Sequence, residues 1–492
     1  MRHVVAVDQS TSRTKAVLLD ETGRVHARAA RPHRQIYPRP GWVEHDAEEL
    51  HRNVLECMGE LACTAPEAVR GAACLSLTNQ RETFVVFDRA TGRPLHNAVV
   101  WQCRRGDPVC RELAAAGHAE RVKDATGLAL DSYFPAPKLK RLLADEPDLR
   151  DAVASGRAAV GTIDAYLVHR LTGGRVFATD HTNASRTLLF DIERLRWDEG
   201  LCDLFGCPPA ALPEVRASAS RFGATDAGGA LPAELPICGV MGDSQAALFA
   251  QRAFAPGSAK VTLGTGSSVL LNVGDTPRRS RSGIVTTVAW VHEGTPTYAF
   301  EGIINCTGAT VAWLKDQIEV LRTAEETESL ARSLPDNGGV YLVPAFVGLG
   351  APYWKEDARA AIVGLTQHST RAHLARAALE AIAYQIRDVL DTMAVEAGRP
   401  LVELSADGGM VENSFLVQLI ADVARVAVRA STVPELSALG AALAGMLGTG
   451  VHSSLESLER LDLGVRRYSP AMPAAQADAL YAGWKRAVAR TF

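Results

Sequence analysis

The sequence predicts an α/β fold, because strand-like and helix-like stretches alternate along its whole length. The chain has 492 residues, 47% of them hydrophobic, and this length indicates two domains of roughly 250 residues each. Both halves also contain the same arrangement: an apolar run, a turn of small polar residues and a second apolar run. We therefore expect two domains of related design, residues 1–250 and residues 251–492.

The first of these arrangements occupies the start of the chain. Residues 4–7 are apolar, Asp8 follows them, and four of the side chains at residues 10–14 are hydroxyls. Lys15 then precedes a second apolar run at residues 16–19. Two short strands joined by a polar turn, a β-hairpin, explain this pattern.

The rest of the chain supplies further helices and strands. Residues 47–65 carry apolar side chains at helical spacing, and residues 371–398 form a longer helical pattern that ends in Gly. Residues 219–236 are rich in Gly, Ala and Pro and predict an excursion on the surface. The second hairpin is predicted at residues 258–274, with its turn at residues 264–268.

The composition excludes several classes of protein. The 52 basic and 56 acidic residues give a net charge of −4, and no tract rich in Lys or Arg suggests a nucleic-acid partner. No apolar stretch approaches the ~20 residues of a membrane helix, and the N-terminus lacks the apolar core of a signal peptide. Nine cysteines without a CxxC pair indicate reduced thiols. We expect a cytoplasmic enzyme that does not insert into membranes.

Both polar turns have a composition suited to phosphate. Small residues let backbone N–H groups converge on an anion, so residues 10–14 and 264–267 could hold a polyphosphate from two sides. Asp8 could hold Mg²⁺ through water, and Lys15 could offset phosphate charge. The alternative is a pair of ordinary β-hairpins with solvated tips, because polar turns are common.

Asp243 is the candidate catalytic carboxylate. It lies between an apolar strand and a helix that is predicted to begin near Ser244. A carboxylate at such a junction either caps the helix or acts as a general base that points into a cleft between domains.

Two further stretches suit a small-molecule site. Arg81 and Glu82 follow one apolar run and Trp101 follows another, which suits a hydroxyl-rich ligand; a surface ion pair and a core tryptophan fit equally well. The Gly pair at residues 408–409 precedes a helix that starts near Asn413. It could admit a flat ligand such as adenine, or form a strand-to-helix turn with an Asn cap.

Longer motifs carry a family resemblance. They are PGWVEHD (40–46), TNQRET (78–83), WQCRR (101–105), TNASRT (182–187), PAFVGLGAPYW (344–354) and DGGMVENSF (407–415). Through these motifs, which occur in the family's order, the chain resembles the FGGY carbohydrate kinases nearly end to end, and within them the glycerol kinases.

The resemblance implies two actin-like (ribonuclease H-like) domains with a central cleft for ATP and substrate. The implied enzyme uses ATP and Mg²⁺ to phosphorylate a terminal hydroxyl of a small neutral polyol, foremost glycerol to glycerol 3-phosphate. Asp243 matches the catalytic base of the family, and Asp8 and Asp243 match the residues associated with Mg²⁺. Residues 1–250 would carry the polyol and the base, and residues 251–492 the nucleotide. A homodimer or homotetramer is also implied.

The candidate contacts fall into two groups. Those to the nucleotide are Thr11, Ser12, Lys15, Thr265, Gly266, Gly308, Gly409 and Asn413. Those to the polyol are Arg81, Glu82, Trp101, Tyr133, Asp243, Ser244 and Ser268.

Several positions depart from the glycerol kinase pattern, and three of them concern charge or the size of the polyol site. Lys15 replaces Arg, which keeps the charge but loses the planar guanidinium. Ser244 replaces Gln and Ser268 replaces Phe, which should leave more room and more polar surface around the polyol. The alternative is therefore a kinase for a four- or five-carbon polyol or ketose of the erythritol, ribitol, xylulose or ribulose type. A remote alternative is a non-catalytic actin-like nucleotide switch or polyol sensor, against which Asp243 argues.

Overall fold

The computed structural model describes residues 1–355 and 357–492. The strands in these residues are β1 (His3–Gln9), β2 (Arg13–Asp20), β3 (Val25–Pro32), β4 (Glu44–His45), β5 (Ala72–Asn79), β6 (Phe84–Asp88), β7 (Ala98–Val99), β8 (Ala158–Thr162), β9 (Ala178–Asp180), β10 (Phe190–Asp191), β11 (Arg196–Trp197), β12 (Glu214–Arg216), β13 (Arg221–Thr225), β14 (Leu235–Gly242), β15 (Ser258–Leu263), β16 (Ser267–Gly274), β17 (Val285–His292), β18 (Thr295–Ile304), β19 (Tyr341–Val343), β20 (Ala361–Val363), β21 (Glu403–Asp407), β22 (Val428–Ser431) and β23 (Val465–Tyr468).

The helices alternate with these strands, as the sequence predicts. They are α1 (Ala47–Thr64), α2 (Pro66–Arg70), α3 (Asp107–Ala115), α4 (Ala119–Thr126), α5 (Pro135–Asp145), α6 (Pro147–Ala154), α7 (Ile163–Leu171), α8 (His181–Ala184), α9 (Glu199–Phe205), α10 (Asp243–Ala250), α11 (Gly308–Asp316), α12 (Glu326–Arg332), α13 (Arg371–Ala397), α14 (Ser414–Ala424), α15 (Leu436–Gly448), α16 (Leu455–Glu459) and α17 (Ala474–Val488). Across the described parts of the chain, no helix combines the length and the apolar character that crossing a membrane requires.

The first large sheet comes from the first half of the chain, with the strand order β13-β14-β5-β1-β2-β3. β1 pairs antiparallel with β2 and parallel with β5, and β5 pairs parallel with β14. Asp8 lies opposite Lys15 in the β1–β2 hairpin, and residues 10–12 form its turn. The predicted hairpin is present with its polar residues at one end of the sheet.

The second large sheet repeats this topology in the second half of the chain. Its order is β17-β18-β16-β15-β21-β22-β23. β15 pairs antiparallel with β16 and parallel with β21, β21 pairs parallel with β22, and β18 adds antiparallel to β16. Apart from β17, the strands follow the order and directions of the first sheet from β3 to β13. The repeated hairpin in the sequence therefore belongs to a repeated sheet.

Helices join the two halves. α15, from the second half of the chain, packs on β1, β5 and β14 of the first sheet and against α10. This approach needs Gly440, because a Cβ at that position would lie 1.8 Å from the backbone oxygen of Ala246. One hydrophobic cluster accordingly includes Val4, Leu270 and Leu439.

A four-stranded sheet, β4-β7-β6-β8, forms a smaller unit beside the first large sheet. Its core contains Phe84 and Val99, and Trp101 and Tyr133 pack on that core. This unit therefore carries the two aromatic side chains that the sequence assigns to the polyol.

Most predicted segments are found where the sequence places them. The helix predicted at residues 371–398 runs from Arg371 to Ala397 and ends at Gly398 in the left-handed region (φ 61°). The surface excursion predicted for residues 219–236 is found at residues 226–234, which form largely exposed turns, but not at residues 221–225. Arg221–Thr225 forms edge strand β13, and Phe222 is completely buried, so its apolar side chains pull this segment into the first core.

Candidate active site

Three parallel strands of the first sheet, β1, β5 and β14, end beside one another. Asp8 is the next-to-last residue of β1, Arg81 follows the end of β5 by two residues, and Asp243 directly follows β14. Because parallel neighbours present their carboxyl ends at the same edge, these side chains converge where α/β sheets commonly bind ligands.

Asp243 is the first residue of α10, and Gly242, not Asp243, is the N-cap. Its Oδ1 accepts a hydrogen bond from the N–H of Ser244 at 2.7 Å and lies 3.2 Å from Nε of Arg81. The Asp243 side chain remains 36% exposed, so a substrate can reach it. The capping interpretation is therefore not what the structure shows, and the helix begins one residue earlier than predicted.

Arg81 belongs to a buried cluster of four charged side chains. Its Nη2 donates to Oε1 of Glu301 at 2.7 Å, and Nη1 of Arg186 lies 2.7 Å from Oε2 of Glu301. Nε of Arg186 donates to Oε1 of Glu82 at 2.6 Å. None of the four side chains is more than 5% exposed. Glu82 thus binds a second arginine rather than facing solvent, which excludes the surface ion pair.

The charges in this cluster set the protonation of its carboxylates. Burial alone would raise the pKa of Glu301, but Arg186 and Arg81 outweigh burial and lower that pKa to about 2. Burial prevails at Glu82 and raises its pKa, although the same two arginines oppose the change. Glu301 is therefore the permanent anion that holds both guanidinium groups.

Ser268 connects this cluster to the second hairpin. Its Oγ donates to Oε1 of Glu301 at 2.9 Å. Gln245 of α10 accepts from Nη1 of Arg81 at 3.2 Å and donates to Oγ1 of Thr287 at 3.2 Å. Arg81, beside the candidate base, is thus bonded to side chains from both halves of the chain.

Two aromatic rings form a corner close to the first hairpin. The ring centroids of Trp101 and Tyr133 lie 5.4 Å apart. Nε1–H of Trp101 donates to Oγ1 of Thr11 at 3.0 Å, which joins the candidate polyol wall to the candidate phosphate turn. Trp101 and Tyr133 are both only partly buried, so each can offer part of its surface to a ligand.

Asp8, which the family resemblance assigns to the metal, has one carboxylate oxygen without a partner in the described part of the chain. Its Oδ1 is buried and has no hydrogen-bond partner among the described residues, while Oδ2 lies 3.7 Å from Nζ of Lys15. Burial raises the pKa of Asp8 to about 7; Lys15 opposes this, and Asp243 and Glu435 add to it. No cluster of three or more His, Cys, Asp or Glu residues suited to a metal occurs in residues 1–355 and 357–492. A pair of carboxylates fits Mg²⁺, which takes few protein ligands when phosphates complete its shell.

The turn of the second hairpin is closely packed backbone. A Cβ on Gly266 would lie 2.7 Å from the oxygen of Ile304, and one on Gly308 would lie 2.7 Å from the oxygen of Gly264. The N–H of Gly308 donates to that same Gly264 oxygen at 3.0 Å, while Thr265 itself is exposed. The glycines thus allow the start of α11 to lie against the turn.

The Gly-Gly turn after β21 offers open backbone. No atom lies within 4 Å of a Cβ added to Gly409. Asn413 caps α14 by accepting from the N–H of Leu416 at 3.0 Å, as the alternative interpretation of the sequence proposes. Nε2 of Gln251, at the end of α10, donates to Asp407 at 3.3 Å, which connects this turn to the helix of the candidate base.

Comparison with known proteins identifies the family of this chain. Residues 3–250 match the N-terminal domain of the FGGY family of carbohydrate kinases, and residues 259–449 match its C-terminal domain. The chain belongs to the FGGY family of carbohydrate kinases. It is 45% identical to glycerol kinase 1 of Thermotoga maritima, covering 99% of both chains, and 47% identical to the glycerol kinase of Symbiobacterium thermophilum, covering 99% of this chain and 98% of the other.

A solved structure extends the similarity of this FGGY kinase to three dimensions. The glycerol kinase of Plasmodium falciparum, determined with ADP, is 34% identical and superposes with a TM-score of 0.95. The match covers 100% of this chain and 98% of that one. The fold predicted from the sequence, two α/β domains of the carbohydrate kinase type, is confirmed.

The structure adds residues that the sequence does not assign to this FGGY site. Glu301 stands in the middle of the apolar run of β18, and a lone charge in such a run is a signal of a buried ion pair. Arg186 lies inside the TNASRT motif, and Gln245 follows the assigned Ser244. Glu301 contacts Arg81 and Arg186, and Gln245 contacts Arg81.

Replacement of Glu301 by Gln should destabilise this FGGY kinase, because Arg81 and Arg186 would be left buried without their shared anion. We expect the free energy of unfolding, measured by urea denaturation at neutral pH, to fall by about 3–5 kcal/mol. The stability that wild-type Glu301 contributes is present above its unfolded pKa and is lost as the pH falls toward 2, a dependence the variant should lack. The exposed pair of Glu60 and Arg31 provides the control, since Glu60→Gln should cost about 0–1 kcal/mol. Equal losses in the two variants would contradict this role.

Proposed function

We propose that this FGGY kinase transfers the γ-phosphoryl group of ATP to a terminal hydroxyl of glycerol, forming glycerol 3-phosphate. The observation that carries the proposal is the accessible carboxylate of Asp243, 3.2 Å from Arg81 and beside Asp8 at the ends of three parallel strands. The full-length similarity to glycerol kinases supports glycerol as the polyol.

The reaction requires a base, a positioned alcohol and stabilised phosphate charge. Asp243 accepts the proton of the substrate hydroxyl as its oxygen attacks the γ-phosphorus. A new P–O bond forms to the polyol while the bond to the ADP oxygen breaks. Arg81 and Glu82 bind polyol hydroxyls, and the Trp101–Tyr133 corner covers its carbons. Positioning supplies much of the catalysis.

The two halves of the chain divide this work. We assign residues 1–250 to the polyol and the base, and residues 251–492 chiefly to the nucleotide. The two hairpin turns hold the phosphates, with Lys15 offsetting their charge. The Gly408–Gly409 turn borders the adenine ring of the nucleotide. The nucleotide residues are Thr11, Ser12, Lys15, Thr265, Gly266, Gly308, Gly409 and Asn413.

We further propose that Asp8 and Asp243 bind Mg²⁺ together with the phosphates. The unpartnered, buried Oδ1 of Asp8 supports this assignment. When bound, the ion would neutralise the charge that develops on the transferred phosphoryl group. An enzyme of this kind would act in the cytoplasm, where ATP is available, and we propose a homodimer or homotetramer, which sedimentation would test.

A kinase for a four- or five-carbon polyol or ketose is the second candidate function. Ser244 and Ser268 support it, because each is smaller than the residue glycerol kinases carry and each is only half-buried. The two candidates share the mechanism and differ in the size of the pocket.

Asp243→Asn should reduce kcat by about 10²–10⁴-fold, because the amide cannot accept the proton. Turnover is measured by ADP release with glycerol, and ATP binding by calorimetry should be retained. Asp226→Asn, which changes an exposed carboxylate outside the site, should leave kcat unchanged. Normal turnover by Asp243→Asn would refute the assigned base, and no turnover of any polyol by the folded wild type would refute the proposed function.

Activation by Mg²⁺ should weaken as the pH falls below 7. Protons compete with the metal for Asp8, whose pKa is about 7, so the apparent Mg²⁺ activation constant should rise about tenfold per pH unit on the acid side. The phosphates of ATP also change protonation near this pH range. The pH dependence that remains in Asp8→Asn therefore measures the contribution of ATP. The same pH dependence in wild type and variant would show that Asp8 is not a metal ligand.

Ser268→Phe should shift the preference of the enzyme toward glycerol, because the larger side chain fills space beside the polyol. The ratios of kcat/KM for glycerol, erythritol, ribitol, xylitol and xylulose should change by about 10–200-fold against the longer substrates. Unchanged ratios would mean that residue 268 does not line the pocket. A strong wild-type preference for glycerol would remove the second candidate.

A further inference from the structure

Lys138, in the first turns of α5, is a lysine with no exposed surface. Its Nζ donates to three backbone oxygens, those of Val100 at 3.2 Å, Trp101 at 3.2 Å and Tyr133 at 3.0 Å. No carboxylate in the described residues forms an ion pair with it. The three carbonyl groups therefore provide the compensation for burying its charge.

Burying the ammonium group of Lys138 would destabilise the fold if the side chain served packing alone. A buried ammonium group loses its hydration, and neutral carbonyl oxygens return only part of that free energy. An apolar side chain of similar length would fill the same volume without this cost. The position of Lys138 is explained better by what its three bonds hold together.

The three bonds join the two separate segments that carry the aromatic corner. Val100 and Trp101 follow β7, and Tyr133 precedes α5, more than thirty residues later. The Trp101 and Tyr133 rings lie 5.4 Å apart, and they share no hydrogen bond with each other. Lys138 is the group that donates to the backbone of both residues.

We propose that Lys138 is a positioning residue for polyol recognition, which fixes the spacing of Trp101 and Tyr133 by binding their backbone oxygens. The inference rests on the proposed function, in which these rings contact the polyol. Lys138 acts through the two aromatic residues and does not itself touch the substrate.

The protonation of Lys138 gives this role a pH dependence. Burial lowers the pKa of Lys138 to about 7, although Cys103, Glu82 and Asp131 oppose this. Arg105 also favours the neutral form, and Cys110 is the other titratable group close by. A neutral amine has two N–H groups for three carbonyl oxygens. The corner should therefore loosen, and the KM for the polyol should rise, as the pH increases through 7.

Lys138→Met tests the inference, because it keeps the length of the side chain and removes the three bonds. We expect the KM for the polyol to rise about tenfold, with kcat and the KM for ATP close to wild type. Amide hydrogen exchange should become faster at residues 100–104 and 131–134. The wild-type KM for the polyol should rise between about pH 6 and about pH 8, and that of the variant should not.

Lys140→Met is the matched control. Lys140 lies on the same helix and donates to the backbone oxygen of Leu204 at 2.7 Å, away from the aromatic corner. This variant should keep the wild-type KM for the polyol and its pH profile, and exchange at both segments should stay as in wild type.

An unchanged polyol KM in folded Lys138→Met, or a parallel loss of kcat and of ATP affinity, would overturn the inference. If that variant does not fold, the wild-type pH profile decides, and a constant KM between about pH 6 and about pH 8 would contradict it. A wild type that turns over no polyol would instead defeat the proposed function. Hydrogen exchange would still test the anchoring by Lys138 in that case.

Discussion

The rest of the site depends on the ion pairs that the carboxylate of Glu301 forms with two arginines. It accepts from Arg81 and pairs with Arg186, which come from the first half of the chain, whereas Glu301 lies in β18 of the second sheet. Breaking a buried ion pair leaves an uncompensated charge, so each of these groups fixes the position of the others. With its Nη atoms held by Glu301, Arg81 presents Nε to Asp243.

This ion cluster lies where the two halves of the chain, each with its own large sheet, meet. Each sheet contributes a hairpin turn at the carboxyl end of its parallel strands, and α10 and α15 bring the two sheets together. α10 is bonded at both ends, through Gln245 to Arg81 and through Gln251 to Asp407. The helix that begins with Asp243 is thus bonded to both halves of the chain.

The sequence predicts the parts of the site that depend on local pattern. Asp8, Arg81 and Asp243 stand at the ends of apolar runs, and the edge of a parallel sheet brings such ends together. The pairing of Arg81 with Glu301 spans 220 residues and has no local signature, so only the folded chain reveals it. Composition likewise misplaces residues 221–225, because the small residues around Phe222 conceal an edge strand.

The same contacts refine the meaning of Ser268 for substrate size. The sequence suggests that this serine adds room and polar surface, yet its hydroxyl proton is donated to Glu301, whose ionised state is held by two arginines. The hydroxyl can therefore accept, but not donate, a bond to a substrate hydroxyl. Having Ser268 where glycerol kinases carry Phe therefore affects substrate choice mainly through the volume of the site. A difference in volume discriminates between substrates much more weakly than a polar group left unpaired. Space of this kind admits a longer polyol without excluding glycerol, because the contacts of Arg81, Asp243 and the aromatic corner are retained.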